Sequence, residues 1–486
     1  MLKNYVTVAL RTLKRNAGYS SINIIGLAAG LACCILIYLF VNLELSYDHF
    51  HSKHDRIYRV AIDITQSGQT RALAWSSPPL AEALVTDFPS VEQAVRIHQQ
   101  SGTVRQGDRQ FVENIYFADS TFFRVFDFAL QRGDPQTALL GPGRVVMTKE
   151  QANRFFGSED PLHKTITTAD GTVLEVTGIL SEIPVNSHFH PEIVASFSTL
   201  PGERFQQWGG MNLWTYIVLD KQADAEAVEA RFPDFIKNEL GETWAGLMTL
   251  HLQPLTSIYF ESDRLPEIGP TGNRNTVYIF SAIGLIVLLI ACINFVNLAT
   301  AQSIRRSREV GIRKVLGVHR GQLIRQFLGE SVLLTLLAMV MALAVAQLLL
   351  PAFGNITGYE LSNDELFRVD LLFSLLGAAI FAGVVSGSYP AFVLSHFNPS
   401  EVLSGKLNWR RTGQNRKPSK SLFRRGLVFV QFVITTVLLI GTAVVGEQLD
   451  VLARVLQLVP PALLPGAELP RAVRPAAVGS EFQEVT

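Results

Sequence analysis

The sequence predicts an α-helical transmembrane bundle of four plus one helices, with a large α+β extracytoplasmic domain between the first and second helices. One observation behind this prediction is a set of five apolar runs that contain no Lys, Arg, Asp or Glu. Each run has roughly the 20 residues that a helix needs to cross about 30 Å of hydrocarbon. The predicted membrane helices occupy residues 21–43, 277–299, 332–353, 371–394 and 427–445.

The position of the basic residues is the second observation. Residues 1–20, 300–328 and 395–426 hold 19 of the 42 Lys and Arg residues but only two of the 42 Asp and Glu residues. Basic connectors of membrane proteins face the cytoplasm. The N-terminus and these connectors are therefore predicted to be cytoplasmic, whereas residues 44–276 lie outside and 353–370 form a short outer loop.

Composition sets further limits on function. The net charge of zero conceals opposed local charges, and no nucleic-acid partner is expected. All three cysteines, Cys33, Cys34 and Cys292, lie in predicted membrane helices. The outer domain therefore has no disulfide framework, even though its compartment would permit one.

The N-terminal segment, residues 1–20, interleaves Lys3, Arg11, Lys14 and Arg15 with apolar residues. This pattern indicates a cytoplasmic amphipathic segment whose basic side faces the phosphates of membrane lipid. A simple topology anchor is the alternative, and the two roles are compatible.

The outer domain shows strands and helices without regular alternation, which argues against a doubly wound sheet. Asp170-Gly171 is a hairpin signal, and Thr148 with Gln151 forms a capping box for a helix through Phe156. Strands are expected at residues 56–64, 165–168, 173–180, 214–219 and 248–255, and a helix near 223–236.

The cytoplasmic segment at residues 300–331 is the sharpest local signal, because it directly joins two predicted membrane helices. Glu309 stands four residues before Arg313, a pairing distance on a helix, and Gly317 can end that helix in the left-handed conformation. One interpretation is a helix–turn–helix element that transmits force from a cytoplasmic partner. The other is a basic amphipathic helix on the membrane surface. A single apolar stripe is expected at Val310, Val315 and Leu316.

Small residues recur at four-residue spacing in the predicted membrane helices. They are Gly26 and Gly30 in the first helix, and Ala379, Gly383 and Gly387 in the fourth. Such spacing permits close helix packing, either within one chain or between two copies.

The sequence contains no constellation for catalysis or nucleotide binding. It lacks a G-x-x-x-x-G-K-[ST] phosphate loop and a Ser/His/Asp or Cys/His arrangement. Interior charges are absent from the predicted membrane helices, which counts against ion-coupled transport. The chain is predicted not to be an enzyme and to need no cofactor.

Five histidines invite a metal interpretation, because neutral imidazoles suit zinc. They are His49, His51 and His54 near the start of the outer domain, and His188 with His190. No cysteine is nearby, so surface positions on turns or strands are favoured and no metal site is predicted.

A family resemblance rests on several segments. Residues 309–317 resemble the hallmark cytoplasmic segment of MacB/FtsX-type ABC transporter permeases. Residues 47–50 (YDHF) and 55–60 (DRIYRV) resemble the start of that family's MacB-like periplasmic core domain. Residues 125–128 and 176–180 also fit. In this resemblance the ATPase-coupling residues are Glu309, Val310, Gly311, Ile312, Arg313, Lys314 and Gly317.

The resemblance covers about residues 1–445 and implies a multi-pass protein of the bacterial inner membrane. It implies a separate ABC ATPase subunit as partner, together with a second permease copy or homologous half; a periplasmic adaptor is a further candidate. The implied function is that of a permease subunit for efflux of drugs, peptides or lipoproteins, or for mechanotransmission. The alternative is a signalling permease that regulates a periplasmic partner or wall hydrolase.

The C-terminal part departs from the family pattern. Residues 446–486 lead into a Pro/Ala-rich tail without periodicity, which is expected to be disordered. Many relatives with this opening are double-length, so one expectation is the N-terminal part of such a member with an altered C-terminus. Shorter relatives have four spans and act as dimers, so residues 1–400 are also expected to be able to form a complete unit.

The predicted topology has a direct test. A reporter fused near residue 320 should stay in the cytoplasm, and protease added to spheroplasts should cleave within residues 60–250, because basic connectors are retained inside. Reporter activity and mass spectrometry of the fragments measure the two outcomes. Export of the reporter, or protection of the domain, would contradict the topology.

Overall fold

The computed structural model describes residues 17–261, 263–359, 363–395 and 419–458. The chain divides into two compact units. The helical unit comprises the chain up to Val41 and from Val277 onward, and the α+β unit comprises Asn42–Thr276.

Three predicted segments fall wholly or mainly outside the described residues. They are the amphipathic N-terminal segment before Ala17, the second basic connector at 396–418 and the tail at 459–486. These predictions stay as predictions.

Thirteen α-helices are present in the described part of the chain. Their bounds are α1 (Ala17–Leu45), α2 (Leu80–Asp87), α3 (Phe122–Val125), α4 (Lys149–Phe156), α5 (Ala225–Glu229), α6 (Phe232–Leu240), α7 (Glu242–Ala245), α8 (Leu255–Ile258), α9 (Arg274–Val315), α10 (Arg320–Thr357), α11 (Asn363–Leu366), α12 (Val369–Ser395) and α13 (Ser419–Leu458).

Five of these helices are long and apolar enough to cross a membrane, as the sequence predicts. The candidate spans are Ser20–Leu45, Arg274–Gln302, Arg320–Thr357, Val369–Tyr389 and Arg425–Gln448. The α+β unit lies between the first and second of them in the chain. The predicted fold class is therefore confirmed: a helical membrane bundle with a large α+β domain inserted after its first helix.

The helical unit has one hydrophobic core, built by α1, α9, α10 and α12. Alanines at four-residue spacing place one face of α10 in this core, and Ala338, Ala342 and Ala346 have no exposed surface. Without a large side chain at these positions, neighbouring backbones can approach closely. The core therefore depends on small residues rather than on bulky ones.

The α+β unit contains one sheet of eleven strands. Their bounds are β1 (Ile57–Gln66), β2 (Gln69–Leu73), β3 (Val91–Gln106), β4 (Arg109–Ala118), β5 (Leu130–Arg132), β6 (Arg144–Thr148), β7 (Thr165–Thr168), β8 (Val173–Leu180), β9 (Ile193–Ser196), β10 (Trp214–Leu219) and β11 (Met248–Pro254). The order is β11-β1-β10-β3-β4-β9-β6-β8-β5, with β2 beside β1.

Strand β7 pairs with both β3 and β8, so six strands form a closed path: β3, β4, β9, β6, β8 and β7. A separate core fills this closed part. A second core lies between β1, β10, β11 and the helices α2 and α6, and a third is centred on Phe122, Phe126 and Phe189. Among the described strands, β4–β9 and β6–β8 are the parallel pairs and all other strand pairs are antiparallel, which excludes the doubly wound arrangement.

Most local predictions for this unit are confirmed. Asp170-Gly171 closes the β7–β8 hairpin, with Gly171 at a φ of +88°. Thr148 is the N-cap of α4, and its side chain accepts a hydrogen bond from Gln151 N. The prediction of a single helix near residues 223–236 is wrong. Two helices occupy this stretch, because α5 ends at Glu229 and α6 begins at Phe232. Pro233 would clash with the preceding turn of an unbroken helix, but it is tolerated in the first turn of α6.

Candidate functional site

The predicted coupling segment lies where two long helices meet. Helix α9 continues without a break from its membrane span to Val315, and α10 begins at Arg320. Gly317 has a φ of +93°, and its N–H donates to Lys314 O at 3.1 Å. The predicted left-handed stop is therefore confirmed. His319 N donates to Gln322 Oε1 at 3.1 Å, which secures the first turn of α10. We call residues 309–319 the coupling tip.

The coupling tip exposes apolar side chains. Ile312 is 49% exposed, Val315 61% and Leu316 78%, whereas Val310 is only 3% exposed. The predicted single stripe is wrong, because residues turn by about 100° each along a helix and Val315 lies about 140° away from Val310. The tip thus has one buried apolar residue and a separate exposed apolar end.

The remaining predicted coupling residues also lie at this tip. Gly311 is buried and Lys314 is half-buried, both in the last turns of α9. The side chains of Glu309 and Arg313 lie outside the described part of the chain, so their ion pair stays a prediction.

The predicted packing residues of the first helix face α9. A Cβ added to Gly30 would lie 2.8 Å from Ala291 Cβ, and one added to Gly26 would lie 3.2 Å from Asn294 Nδ2. The structure therefore brings both glycines against one neighbouring helix of the same chain.

The predicted packing residues of the fourth membrane helix, α12, face α10. A Cβ on Gly383 would lie 2.6 Å from Thr335 Oγ1, and one on Gly387 would lie 2.6 Å from Ser331 Oγ. Ala379 is fully buried in the same core. These are contacts within one chain, which is one of the two arrangements that the spacing permits.

Two histidines of the α+β unit are buried rather than on the surface. His51 has no exposed surface and His188 is 1% exposed, so the surface interpretation is wrong for both. The reason is that each has polar partners inside: Asp127 N donates to His51 Nδ1 at 2.9 Å, and His188 Nδ1 lies 2.8 Å from Asp48 Oδ1. Among the described residues, no group of three or more His, Cys, Asp or Glu could hold a metal ion.

His188 belongs to a chain of buried polar groups. A carboxylate only accepts, so His188 Nδ1 donates to Asp48 and its Nε2 accepts from the Tyr216 hydroxyl at 2.8 Å. Burial raises the pKa of Tyr216, which keeps the phenol protonated.

Arg59 is a further member of this network of buried polar groups and is itself fully buried. Its guanidinium donates to both carboxylate oxygens of Glu267 and, at 2.7 Å, to Gln253 Oε1. Buried ion pairs need such additional hydrogen bonds to offset the desolvation of both charges. Sequence reasoning missed this network because its members are far apart in the chain. Asp48, Arg59 and His188 stand in segments singled out above, but nothing in the sequence shows that they meet.

Comparison with known proteins identifies the family. Residues 20–235 match the family model described as MacB-like periplasmic core domain, and residues 281–399 match the FtsX-like permease C-terminal model. The chain is a MacB/FtsX-type ABC transporter permease. Permeases of this family work with ABC ATPases, and neither of the two models that match here is that of an ATPase domain. It is a multi-pass protein of the inner membrane.

Curated relatives carry the name "Macrolide export ATP-binding/permease protein MacB". The one from Shewanella oneidensis is 22% identical over 351 residues, which is 70% of this permease and 50% of the relative. That from Campylobacter jejuni is 28% identical over 147 residues, or 30% of this permease and 22% of the relative. The permease thus spans about half or less of these relatives. The crystal structure of the periplasmic region of MacB from Actinobacillus actinomycetemcomitans covers 41% of this permease and 90% of that chain, with 16% identity and a TM-score of 0.30.

The contact between α10 and α12 predicts a contrast between two glycines of α12. Gly383→Ala should lower the free energy of unfolding by about 1–3 kcal/mol, because the new methyl group would overlap Thr335 and Val332. Gly377 has nothing within 4 Å of an added Cβ, so Gly377→Ala should be neutral or stabilising by up to about 1 kcal/mol. Heating the full-length protein in detergent and measuring the monodisperse fraction checks this contrast. Equal behaviour of the two variants would contradict the packing.

The buried His51 predicts a pH dependence of stability. Burial lowers its pKa from 6.5 to about 4. The unfolded chain then binds one more proton than the folded protein between these values, so stability rises with pH in that window. Lowering the pH from 7 to 5 should therefore cost about 2 kcal/mol through this residue.

His51→Gln should remove that part of the pH dependence, because the amide does not titrate. Four of the five tryptophans lie in the α+β unit, so thermal unfolding followed by tryptophan fluorescence reports on it. His163→Gln is the control, since His163 is exposed and in a surface ion pair that contributes about 0–1 kcal/mol. An unchanged difference between pH 7 and pH 5 in His51→Gln would disprove the assignment.

Proposed function

We propose that this permease is the membrane subunit of an ABC-type exporter or mechanotransmission complex. In this proposal a separate cytoplasmic ATPase binds the coupling tip and drives a conformational change of the α+β unit. The observation that carries the proposal is the continuity of α9, which begins within the last residues of the α+β unit and ends at the coupling tip.

The length of α9 makes it suitable for transmitting displacement. Its 42 residues extend for about 63 Å at 1.5 Å per residue, which is about twice the thickness of the hydrocarbon. A four-residue turn joins it to α10, and both ends of that turn are fixed by hydrogen bonds. A partner that moves the tip would therefore move both helices rather than deform a loop.

The surface of the coupling tip supports a protein partner. Ile312, Val315 and Leu316 expose large apolar side chains, and the basic segment at 300–328 surrounds them in sequence. Apolar anchors at the centre of a polar rim are typical of protein interfaces. We propose that the residues of the coupling tip contact the ATPase. These are the same residues to which the family resemblance gives that role.

The proposed orientation puts the N-terminus and the coupling tip in the cytoplasm and the α+β unit on the periplasmic side. The concentration of Lys and Arg in residues 300–328 and 395–426 supports it. A second permease copy or homologous half, a periplasmic adaptor and membrane lipid are the proposed further partners.

The proposed transport role is efflux of drugs, peptides or lipoproteins. Its support is the name of the relatives, which describes macrolide export by those proteins. The alternative function is regulation of a periplasmic hydrolase, which would use the same coupling of the ATPase to the α+β unit. Activation of a hydrolase without movement of any substrate would favour that alternative.

The docking proposal predicts that a charge at the coupling tip separates the two subunits. Leu316→Glu should reduce co-purification of the ATPase at least tenfold, because a buried unpaired carboxylate in an interface is strongly unfavourable. Arg313→Glu should have a similar effect by reversing a charge. The measurement is quantitative mass spectrometry of chains retained with the tagged permease.

Val112→Glu is the matched control, because Val112 is 77% exposed and lies in the α+β unit. It should leave ATPase recovery unchanged. Normal recovery of the ATPase with Leu316→Glu and Arg313→Glu would disprove docking at the tip. Monodispersity in detergent shows whether each variant is folded.

A further inference from the structure

The α+β unit is connected to the membrane helices through two short stretches of chain. Residues 44–48, the entry segment, comprise the last two residues of α1 and the turn after it. Residues 255–261 with 263–273, the exit segment, lead into α9. The two segments are more than 200 residues apart in sequence, yet contacts within the α+β unit bring them together.

Tyr259 makes the first connection between the two segments. Its hydroxyl donates to the carboxylate of Glu44, with 3.1 Å and 3.0 Å to the two oxygens. Its ring stacks on Tyr47 with centroids 3.5 Å apart and an angle of 8° between the planes. Glu44, Tyr47 and Tyr259 are each less than 5% exposed. A hydrogen bond to a buried charge is among the stronger protein contacts.

Gly272 carries this connection to the start of α9. Its N–H donates to Tyr259 O at 2.7 Å, and an added Cβ would lie 2.1 Å from Tyr259 Cε1. Only glycine therefore fits against the ring. Gly272 is two residues before Arg274, where α9 begins. The contact between Gly272 and the ring of Tyr259 is therefore close to the start of this helix.

The buried polar network makes the second connection. It starts at Asp48 in the entry segment and runs through His188, Tyr216 and Arg59 to Glu267 in the exit segment. Arg59 and Tyr216 are paired residues of the neighbouring strands β1 and β10. Two independent sets of buried contacts therefore join the same two segments.

We propose that Tyr259 is the positioning residue that makes the entry and exit segments move as one body when α9 is displaced. The proposal rests on the proposed function, because it concerns how displacement of α9 reaches the α+β unit. Without the hydroxyl contact to Glu44, the two segments would be joined only by the stacked rings and the polar network, and a displaced exit segment would move the entry segment less. With it, both chain connections of the unit are displaced together.

Hydrogen exchange of the full-length permease in detergent tests this proposal, because it measures local opening of each segment. Tyr259→Phe keeps the stacked ring and removes only the hydroxyl. We expect exchange to accelerate about tenfold in both segments, including amides of the entry segment. Glu44→Gln, on the opposite side of the contact, should accelerate exchange of the exit segment, because coupling between two sites is reciprocal.

Tyr58→Phe is the control, since it makes the same chemical change in β1 and should leave both segments unchanged. Faster exchange confined to the mutated segment would overturn the proposal, because a merely local stabilising role predicts that result. If Tyr259→Phe does not fold, Glu44→Gln alone decides the question by the same criterion.

A second measurement separates this proposal from the proposed function. In the complex with the ATPase, Tyr259→Phe should keep ATP hydrolysis but lose most of the ATP-dependent change in exchange of β3 and β4. A full ATP-dependent change in this variant would overturn the positioning role. Failure of the wild-type permease to retain an ATPase would count against the proposed function, whereas exchange in the permease alone would still decide the role of Tyr259.

Discussion

The hydrocarbon of a bilayer provides no hydrogen-bond partners, and the architecture follows from that constraint. Backbone groups inside it must be satisfied within helices, so the membrane part of the chain consists of long apolar helices. Apolar side chains gain little by leaving lipid for a helix contact. The helices therefore pack through close approach at small residues, as at Gly30, Gly383 and Gly387.

The same constraint concentrates polar chemistry outside the hydrocarbon. The N-terminal segment and the two basic connectors hold 19 of the 42 Lys and Arg residues, and the buried charges with partners, such as Arg59 and Asp48, are in the α+β unit. The long helices α1 and α9 are both covalent links between two chemically different regions. The coupling tip of α9 exposes apolar side chains, and the first residues of this helix belong to a unit that contains buried hydrogen bonds.

Local features could be predicted from sequence because they depend on neighbouring residues. The membrane spans, the turn at Gly171, the cap at Thr148 and the stop at Gly317 are of this kind. The closed strand path could not be predicted, because it depends on β7 pairing with β3 across more than 60 residues. The apolar stripe at the tip was misjudged for a simple geometric reason: Val310 and Val315 are on different faces of the helix.

The candidate site divides in the same way. The residues of the coupling tip were recognisable because they form one continuous segment, and their roles in docking remain a proposal. The network from Asp48 to Glu267 was not recognisable, because its members come from distant segments and the sequence does not show that they pair. Burial of His51 and His188 also depends on contacts with distant strands, which a histidine count does not reveal.

The location of the three cysteines in the membrane helices has a practical consequence for folding. With no thiol in the α+β unit, its maturation requires no oxidising enzyme, and reducing agents leave its covalent structure unaltered. A single cysteine introduced on its surface would also be the one thiol in the unit, so a maleimide probe would label the unit at that position alone.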